Sequence, residues 1–194
     1  MRGALPFLAL AALVAVLVVG LTQAGGGDGG ETASGPSLAE LQRAVAGAPP
    51  PLAALYAEGN RVVPSDPADF RRRLRALRGH PVVVNVWGEW CGPCKLEFPH
   101  FQEAAQRLGK RVAFLGVKLF GSREKAEAFL AKRPVPYPSL DDPRGVIARE
   151  ATSGARGAPH TVFYDARGER AFVHQGSYRS ERDLLEDIQR YAGA

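Results

Sequence analysis

A short β-branched run that leads directly into two cysteines constrains this chain more than any other feature. Residues 81–87 read PVVVNVW, a pattern typical of a central strand that is buried on both faces. Residues 88–94 continue as GEWCGPC, and a helical pattern extends from about Cys91 to Leu108, with Pro99 inside it. The sequence therefore predicts that the cysteine pair lies between a buried strand and the first turn of a helix.

Cys91 and Cys94 are the only 2 cysteines in the chain. A disulfide bond stabilises a fold mainly by restricting the unfolded chain, and this effect grows with the length of the closed loop. A bond between these two residues would close a very short loop, so the pair indicates redox chemistry rather than a structural bridge. A zinc site usually needs four ligands, and the absence of further cysteines disfavours that alternative.

The predicted position at a helix N-terminus gives the two cysteines different tasks. Unpaired backbone N–H groups and the positive end of the helix dipole stabilise a thiolate there and lower its pKa. We expect Cys91 to hold that position, exposed and nucleophilic. Cys94 follows one turn later on the same face, where it can attack a mixed disulfide from inside.

The remaining pattern predicts an α/β fold with a mixed sheet. Further strands are expected at 112–119, at an edge near 137–140, and in a hairpin formed by 161–164 and 169–175. A helix is expected at 122–132, and another closes the chain. The order βαβα followed by ββα implies a central mixed β-sheet flanked by helices on both faces.

The block WGEWCGPC at 87–94, with KLEFP at 95–99 behind it, resembles the thioredoxin superfamily. More narrowly, it is similar to the membrane-anchored TlpA/ResA/DsbE-like thiol–disulfide oxidoreductases, and the resemblance covers roughly Arg61 to Ala194. It implies a thioredoxin-like fold, with Cys91 as the attacking and Cys94 as the resolving cysteine. The implied partners are protein substrates with disulfides or thiols, and a membrane thiol reductase that supplies electrons.

A second loop, at 157–161, matches the same superfamily. Its sequence is GAPHT, and the superfamily places a cis-proline facing the cysteines at this point. The resemblance implies that Pro159 shapes a groove and presents the Ala158 backbone to a substrate strand; the alternative is an ordinary turn proline. Trp90, Gly92 and Pro93 complete the expected substrate-binding set. Trp87 and Trp90 are expected to wall the site, and no cofactor is expected.

Two polar residues bear on proton transfer. Asn85 stands where most thioredoxins carry a buried aspartate that accepts the proton of the resolving thiol, and asparagine cannot take that proton. Glu97 lies three residues after Cys94 on the same helical face, and ResA-like proteins carry an active-site glutamate there. We expect Glu97 to transfer protons or tune the thiol pKa; the alternative is a solvated helix carboxylate.

The expected activity is reduction of protein disulfides in an oxidising compartment, and the expected client is apocytochrome c, a copper-site assembly protein or a general client. Gly92-Pro93 resembles the reducing thioredoxins more than the strong oxidants. One alternative is an oxidant that forms disulfides, although the stretch from Val112 to Thr161 leaves little room for the helical insertion such oxidants carry. Another is a copper-binding module that uses the two cysteines and His160.

The N-terminal segment predicts export. An apolar run from Ala4 to Leu21 is long for a signal-peptide core and short but adequate for a membrane span. Arg2 is the only basic residue before Arg43, which favours an extracytoplasmic domain. Residues 1–24 are expected to be a signal peptide or an N-terminal membrane anchor. The protein would then sit in the cell membrane with a single span, or be secreted or periplasmic if the segment is cleaved.

The remaining chain divides at about residue 60. Residues 25–60 are expected to be a linker with short helical segments, and residues 61–194 the thioredoxin-like domain. Whether the helical segments dock on that domain is left open. The formal net charge of +5 is dispersed apart from arginines at 71–78, which are expected to form a solvated helix face. No nucleic-acid binding is expected.

Overall fold

The computed structural model describes residues 35–193, and six strands within them form one mixed sheet. The strands are β1 Val62–Pro64, β2 Val82–Trp87, β3 Ala113–Leu119, β4 Ser139–Asp142, β5 His160–Tyr164 and β6 Arg170–Gln175. Their order across the sheet is β1-β4-β3-β2-β5-β6. The first four strands pair in parallel, whereas β5 is antiparallel to both β2 and β6. The predicted mixed sheet is confirmed.

The described residues also contain seven α-helices and a closing π-helical turn. They are α1 Leu38–Val45, α2 Pro50–Tyr56, α3 Pro67–Ala76, α4 Gly92–Leu108, α5 Arg123–Lys132, α6 Val146–Thr152, α7 Glu181–Asp187 and the turn Ile188–Ala192. None of the helices between residues 35 and 193 has the length and hydrophobicity of a membrane span. The segment predicted to be a signal peptide or anchor, 1–24, lies outside the described residues.

Phe163 and Tyr164, adjacent residues of β5, show how helices cover both faces of the sheet. Successive side chains of a strand point to opposite faces. Phe163 packs with Phe172 of β6 and with Tyr191 of the π-helical turn. Tyr164 meets the edge of Phe70 from α3, with ring centroids 6.4 Å apart. The predicted arrangement, with helices on both faces, is therefore confirmed.

Strand β2 lies at the centre of the fold, and all six of its residues are buried. It pairs in parallel with β3 from Val82↔Ala113 to Trp87↔Lys118 and antiparallel with β5. Because both of its edges and both of its faces are covered, the strand accepts a continuous apolar run. Its carboxyl end leads into residues 88–94, which we call the cysteine segment, as predicted.

Strand β4 is placed differently from the sequence prediction. The segment near 137–140 was expected at a sheet edge, but β4 begins at Ser139 and lies between β1 and β3. The three residues of β1 pair with it in parallel, from Val62↔Ser139 to Pro64↔Asp141, and thereby cover its outer edge. The edge prediction was wrong because so short a strand as β1 carries too little pattern to be recognised.

Helices α1 and α2 pack on the same core as the sheet. Leu41 of α1 and Leu52 of α2 are fully buried. The Tyr56 hydroxyl donates to the backbone oxygen of Val112, which precedes β3, at 2.8 Å. The compact unit thus extends beyond the range 61–194 that was expected for the domain, and includes the two helices assigned to the 25–60 linker. The apolar face of α1 is covered by protein rather than by solvent.

The arginine cluster at 71–78 lies on and just after α3, and several of its members form ion pairs. Arg73 pairs with Glu58 at 2.9 Å and with Asp69 at 2.9 Å, and Arg71 reaches Glu150 at 2.6 Å. Arg71 is about half exposed, as a solvated face requires, whereas Arg73 is mostly covered. The cluster thus pairs with one carboxylate of its own helix, Asp69, and with two from other parts of the fold, Glu58 and Glu150.

Candidate active site

Cys91 and Cys94 are joined by a disulfide bond, with an S–S distance of 2.00 Å and a Cα–Cα distance of 5.3 Å. Cys91 is the N-cap of α4, and its sulfur accepts the backbone N–H of Cys94 at 3.2 Å. An N-terminal N–H of the helix is therefore directed at this sulfur. The predicted position of the pair, at the start of the helix that follows β2, is confirmed, and it is where a thiolate of Cys91 would be stabilised.

The exposure of Cys91 differs from the prediction. We expected an exposed thiol, but Cys91 is 4% exposed and Cys94 is 0% exposed. The physical reason is the bond itself, because it holds the Cys91 sulfur against a fully buried partner and beneath the Cys94 N–H. The small solvent-exposed area nevertheless belongs to Cys91. The predicted roles require this, because the attacking cysteine must be the one that a client reaches first.

Two hydrogen bonds attach Glu89 and Trp90, which precede Cys91, to the end of β3 and to the loop that follows it. Glu89 Oε1 accepts the backbone N–H of Ser122 at 2.9 Å, and Trp90 Nε1 donates to the backbone oxygen of Leu119 at 3.2 Å. Trp90 is half exposed beside the dithiol. Glu89 was not identified from the sequence, since nothing local shows that its partner lies 33 residues away.

Trp87 and Trp90 occupy different positions relative to the site. Trp87 is buried in the core, donates to Ser139 Oγ at 3.0 Å and packs edge-on against Phe98 of α4. Its ring also meets Phe129 of α5. The expectation that both tryptophans wall the site therefore describes Trp90 but not Trp87, because the alternation of β2 turns Trp87 inward.

The 157–161 loop reaches the same end of the sheet as the cysteines. His160 pairs with Val86 in the antiparallel register, so Pro159 lies beside the carboxyl end of β2. The Ala158–Pro159 peptide bond is cis, and the Pro159 backbone oxygen accepts the N–H of Gly176 at 3.1 Å. Neither the N–H nor the C=O of Ala158 has a hydrogen-bond partner within residues 35–193. The part these residues play in substrate binding remains a prediction.

Glu97 is fully buried on α4, one turn after Cys94. Its Oε2 accepts the backbone N–H of Tyr178 at 3.1 Å, while Oε1 has no hydrogen-bond partner among the described residues. Burial raises the pKa of Glu97 to about 8, and the Tyr178 N–H opposes part of that rise. The alternative of a solvated helix carboxylate is wrong, because α4 turns this residue inward.

Further buried polar atoms lie behind the dithiol. Asn85 of β2 pairs with Thr161 of β5, and in the described part of the chain neither side chain has a hydrogen-bond partner. Asn85 shares a strand face with Trp87, which contacts Phe98 of α4. Burial, followed by the nearby negative charge of Glu97, raises the pKa of Tyr137. The interior beneath α4 thus offers several polar groups that have no hydrogen-bond partner among residues 35–193.

His160 does not complete a metal site with the cysteines. Its Nε2 lies 3.2 Å from the backbone oxygen of Arg156, and the two sulfurs are bonded to each other. Among residues 35–193, no three His, Cys, Asp or Glu side chains are grouped so as to hold a metal ion. The geometry therefore does not supply the ligand set that the copper-binding alternative needs.

Comparison with known proteins gives a consistent result. The model of the AhpC/TSA family matches residues 66–170. The thiol:disulfide interchange protein DsbE of Escherichia coli K12 is 30% identical over 145 residues, which cover 74% of this chain and 72% of DsbE. The thiol-disulfide oxidoreductase ResA of Oceanobacillus iheyensis is 30% identical over 119 residues, covering 60% of this chain and 61% of ResA.

A solved structure also shares the fold. It is that of a secreted Mycobacterium tuberculosis disulfide oxidoreductase described as homologous to Escherichia coli DsbE. The TM-score is 0.53 at 26% identity, and the match covers 60% of this chain and 85% of the other.

Proposed function

The chain belongs to the AhpC/TSA family and is a thiol–disulfide oxidoreductase of the DsbE/ResA type, and we propose that it reduces protein disulfides outside the cytoplasm. The observation that carries this proposal is the Cys91–Cys94 disulfide at the N-terminus of α4, at the carboxyl end of the buried strand β2. Cys91 is the attacking cysteine of the proposed reaction, and Cys94 is the resolving one.

The reaction begins from the reduced dithiol. The Cys91 thiolate attacks one sulfur of a client disulfide, the client S–S bond breaks, and the first client sulfur leaves as a thiolate that takes up a proton. Cys94 then loses its proton and attacks the Cys91 sulfur, which expels the second client thiolate. The products are a client with two thiols and the Cys91–Cys94 disulfide. Two electrons pass to the client, and a dithiol reductase must return them to this protein.

The geometry around α4 supports this order of attack. The Cys91 sulfur receives an N–H from the first turn of the helix, and the helix dipole stabilises the same thiolate. Cys94 is completely buried, so a client sulfur cannot reach it before Cys91 has reacted. It can nevertheless attack the Cys91 sulfur, since the two already form a bond in this structure.

Glu97 is the proposed proton acceptor for Cys94. A carboxyl with a pKa of about 8 exchanges protons near neutral pH, which an ordinary carboxyl does not do. Asn85, at the position where the superfamily carries an aspartate, has no titratable group. One carboxyl oxygen of Glu97 has no hydrogen-bond partner between residues 35 and 193, so that oxygen is available to a proton or a water molecule.

A client strand is proposed to bind across the cysteines and the 157–161 loop. Gly92 and Pro93 are exposed in the first turn of α4, and Trp90 is half exposed beside them. The N–H and C=O of Ala158 have no partner in the described chain, so they can pair with an extended client backbone. Trp90, Gly92, Pro93, Ala158 and Pro159 would together form the client-binding groove.

The reducing direction is favoured over disulfide formation by two features. Gly92-Pro93 between the cysteines resembles the reducing thioredoxins, and only α5, β4 and α6 lie between β3 and β5, without an inserted helical domain. The measurement that tests the direction is the reduction potential of the full-length chain in glutathione buffers. We expect a value below about −200 mV, and a value near −120 mV, that of a strong oxidant, would reverse the assignment.

The client and the location complete the proposal. Disulfides of apocytochrome c or of a copper-site assembly protein are the proposed clients, with a membrane thiol reductase as the electron donor. Residues 1–24 would attach the protein to the cell membrane with the domain on the extracytoplasmic side. Carbonate extraction of membranes tests this attachment, and recovery of a soluble protein that begins near Gly25 would instead indicate a cleaved signal.

A further inference from the structure

Three large apolar side chains are exposed within residues 35–193: Trp90 at 49%, Leu96 at 74% and Phe120 at 42%. Trp90 immediately precedes Cys91, and Phe120 follows the last residue of β3. Because β3 runs parallel to β2 with Lys118 opposite Trp87, the two strands end at the same edge of the sheet. Phe120 and the cysteine segment therefore lie at one end of the molecule.

Backbone groups on either side of Phe120 are bonded to side chains of the cysteine segment. Trp90 donates to the backbone oxygen of Leu119, and Glu89 accepts the N–H of Ser122. Residues 119–122, which we call the β3 loop, are thus held at both ends by the two residues that precede Cys91. The Phe120 ring lies on the loop between these two attachments.

The β3 loop is also held from beneath. The Phe120 N–H donates to the backbone oxygen of Asp142 at 3.2 Å, and the buried Lys118 ammonium donates to that of Gly121 at 2.9 Å. Gly121 has φ +66°, and a Cβ there would lie only 2.2 Å from Glu89 Oε1. These contacts restrict the backbone conformation of the β3 loop, so the Phe120 ring is already in place before a client binds.

Phe120 is an unfavourable residue for folding at this position. Its φ is +50°, a left-handed conformation that costs a bulky residue about 1–3 kcal/mol and that glycine or asparagine adopts more easily. One edge of the ring rests on Gly145, where a Cβ would come within 3.0 Å of Cε1, and much of the ring faces solvent. A strained backbone that presents an exposed aromatic ring is better explained by binding than by stability.

We propose that Phe120 and Trp90 form an apolar contact surface for the client residue that flanks the attacked cysteine. This inference rests on the proposed reduction of protein disulfides. In the mixed disulfide the client sulfur is bonded to Cys91, so the adjoining client residues must pass over Trp90 and can reach the β3 loop. The protein should therefore react faster with disulfides that have a large apolar residue beside the cysteine, because that residue is removed from water on the two rings.

The test uses two peptides that each carry one cysteine as a mixed disulfide with thionitrobenzoate and differ only in a flanking leucine or serine. The reduced full-length chain releases the coloured thiol, which gives a second-order rate constant for each peptide. We expect the leucine peptide to react about fivefold to tenfold faster with the natural chain. In Phe120→Asn, which suits the left-handed backbone, the ratio should fall to within about twofold, and Phe120→Tyr should retain it.

Leu96→Asn is the matched control, because it removes an even more exposed apolar side chain from α4 and should keep the preference for leucine. An unchanged ratio in Phe120→Asn, or an equal loss in Leu96→Asn, would overturn the assignment of Phe120. A natural chain that reacts with both peptides at equal rates would also overturn it while leaving the proposed function intact. A natural chain that reacts with neither peptide, though dithiothreitol reduces its disulfide, would instead reject the proposed function.

Discussion

The backbone N–H of Tyr178 donates to Oε2 of Glu97 at 3.1 Å, although the two residues are 81 positions apart in the chain. Tyr178 is itself held by its hydroxyl, which donates to Asp187 at 2.7 Å, and by His174, whose ring stacks on it at 4.1 Å. The buried carboxyl behind the dithiol is therefore positioned by the turn between β6 and α7. This relationship makes Glu97 the most informative residue to change.

Glu97→Gln should lower the apparent pKa values of the thiols, because a carboxylate near a thiol disfavours a second negative charge. It should also slow disulfide exchange near neutral pH by about tenfold to a hundredfold, because the amide cannot accept the Cys94 proton. The pH dependence of the alkylation rate in a Cys94→Ser background gives the pKa, and insulin reduction by the full-length chain gives the exchange rate.

Glu103→Gln is the control for this experiment, since Glu103 lies on the same helix with its side chain exposed. It should leave both measurements as they are in the natural chain. If the alkylation curves and turnover of Glu97→Gln superimposed on those of the natural chain, Glu97 would have no part in proton transfer.

The stability of the disulfide form should fall as the pH rises from about 4.5 to about 8. Over most of this range the folded protein keeps a proton on Glu97, whose pKa is about 8, whereas the unfolded chain releases it near 4.3. The contribution of Glu97 to the free energy of unfolding is therefore fully present below its pKa in the unfolded chain. It is lost as the pH rises through its pKa in the folded protein. The loss is at most about 5 kcal/mol.

Urea denaturation of the disulfide form at pH 5 and pH 8.5 measures this effect as a difference between the natural chain and Glu97→Gln. The natural chain should lose more of its free energy of unfolding than the variant does, because glutamine does not titrate. Equal losses in the two proteins would show that Glu97 has an ordinary pKa in the folded state.

Cys91→Ser should abolish the mixed disulfide with a protein client, and Cys94→Ser should trap it. The asymmetry follows from the two steps of exchange, in which only the first thiol attacks the client. Non-reducing gel electrophoresis detects the trapped species, and mass spectrometry identifies the thiol alkylated first in the reduced natural chain. Faster alkylation of Cys94 than of Cys91 would reverse the two roles.

Leu41→Ala should destabilise the domain by about 2–5 kcal/mol, because it removes a fully buried side chain from the common core. Gln42→Ala, at the adjacent exposed position of α1, should change the free energy of unfolding by no more than about 0.5 kcal/mol. Urea denaturation of both full-length variants compares them. Equal stabilities would mean that α1 behaves as part of a linker and does not contribute to the fold.

Local sequence determined the elements that surround the site. The β-branched run gives the position of β2. Ser37, Ser122 and Ser180 are the N-caps of α1, α5 and α7, where each side chain accepts a backbone N–H from the first turn of its helix. The cysteine pair could also be placed at the start of α4, because a strand followed by a helical pattern leaves only a few residues between them. These features depend on neighbours within a few positions, so one sequence is enough to predict them.

The partners of the site residues were decided only by the tertiary structure. Glu97 meets Tyr178, Glu89 meets Ser122, and β4 lies inside the sheet because β1 pairs with its outer edge. Each of these contacts depends on how strands from distant parts of the chain are ordered. The pattern of one helix face could not distinguish a buried Glu97 from a solvated one, since the element that covers it lies 81 residues further along.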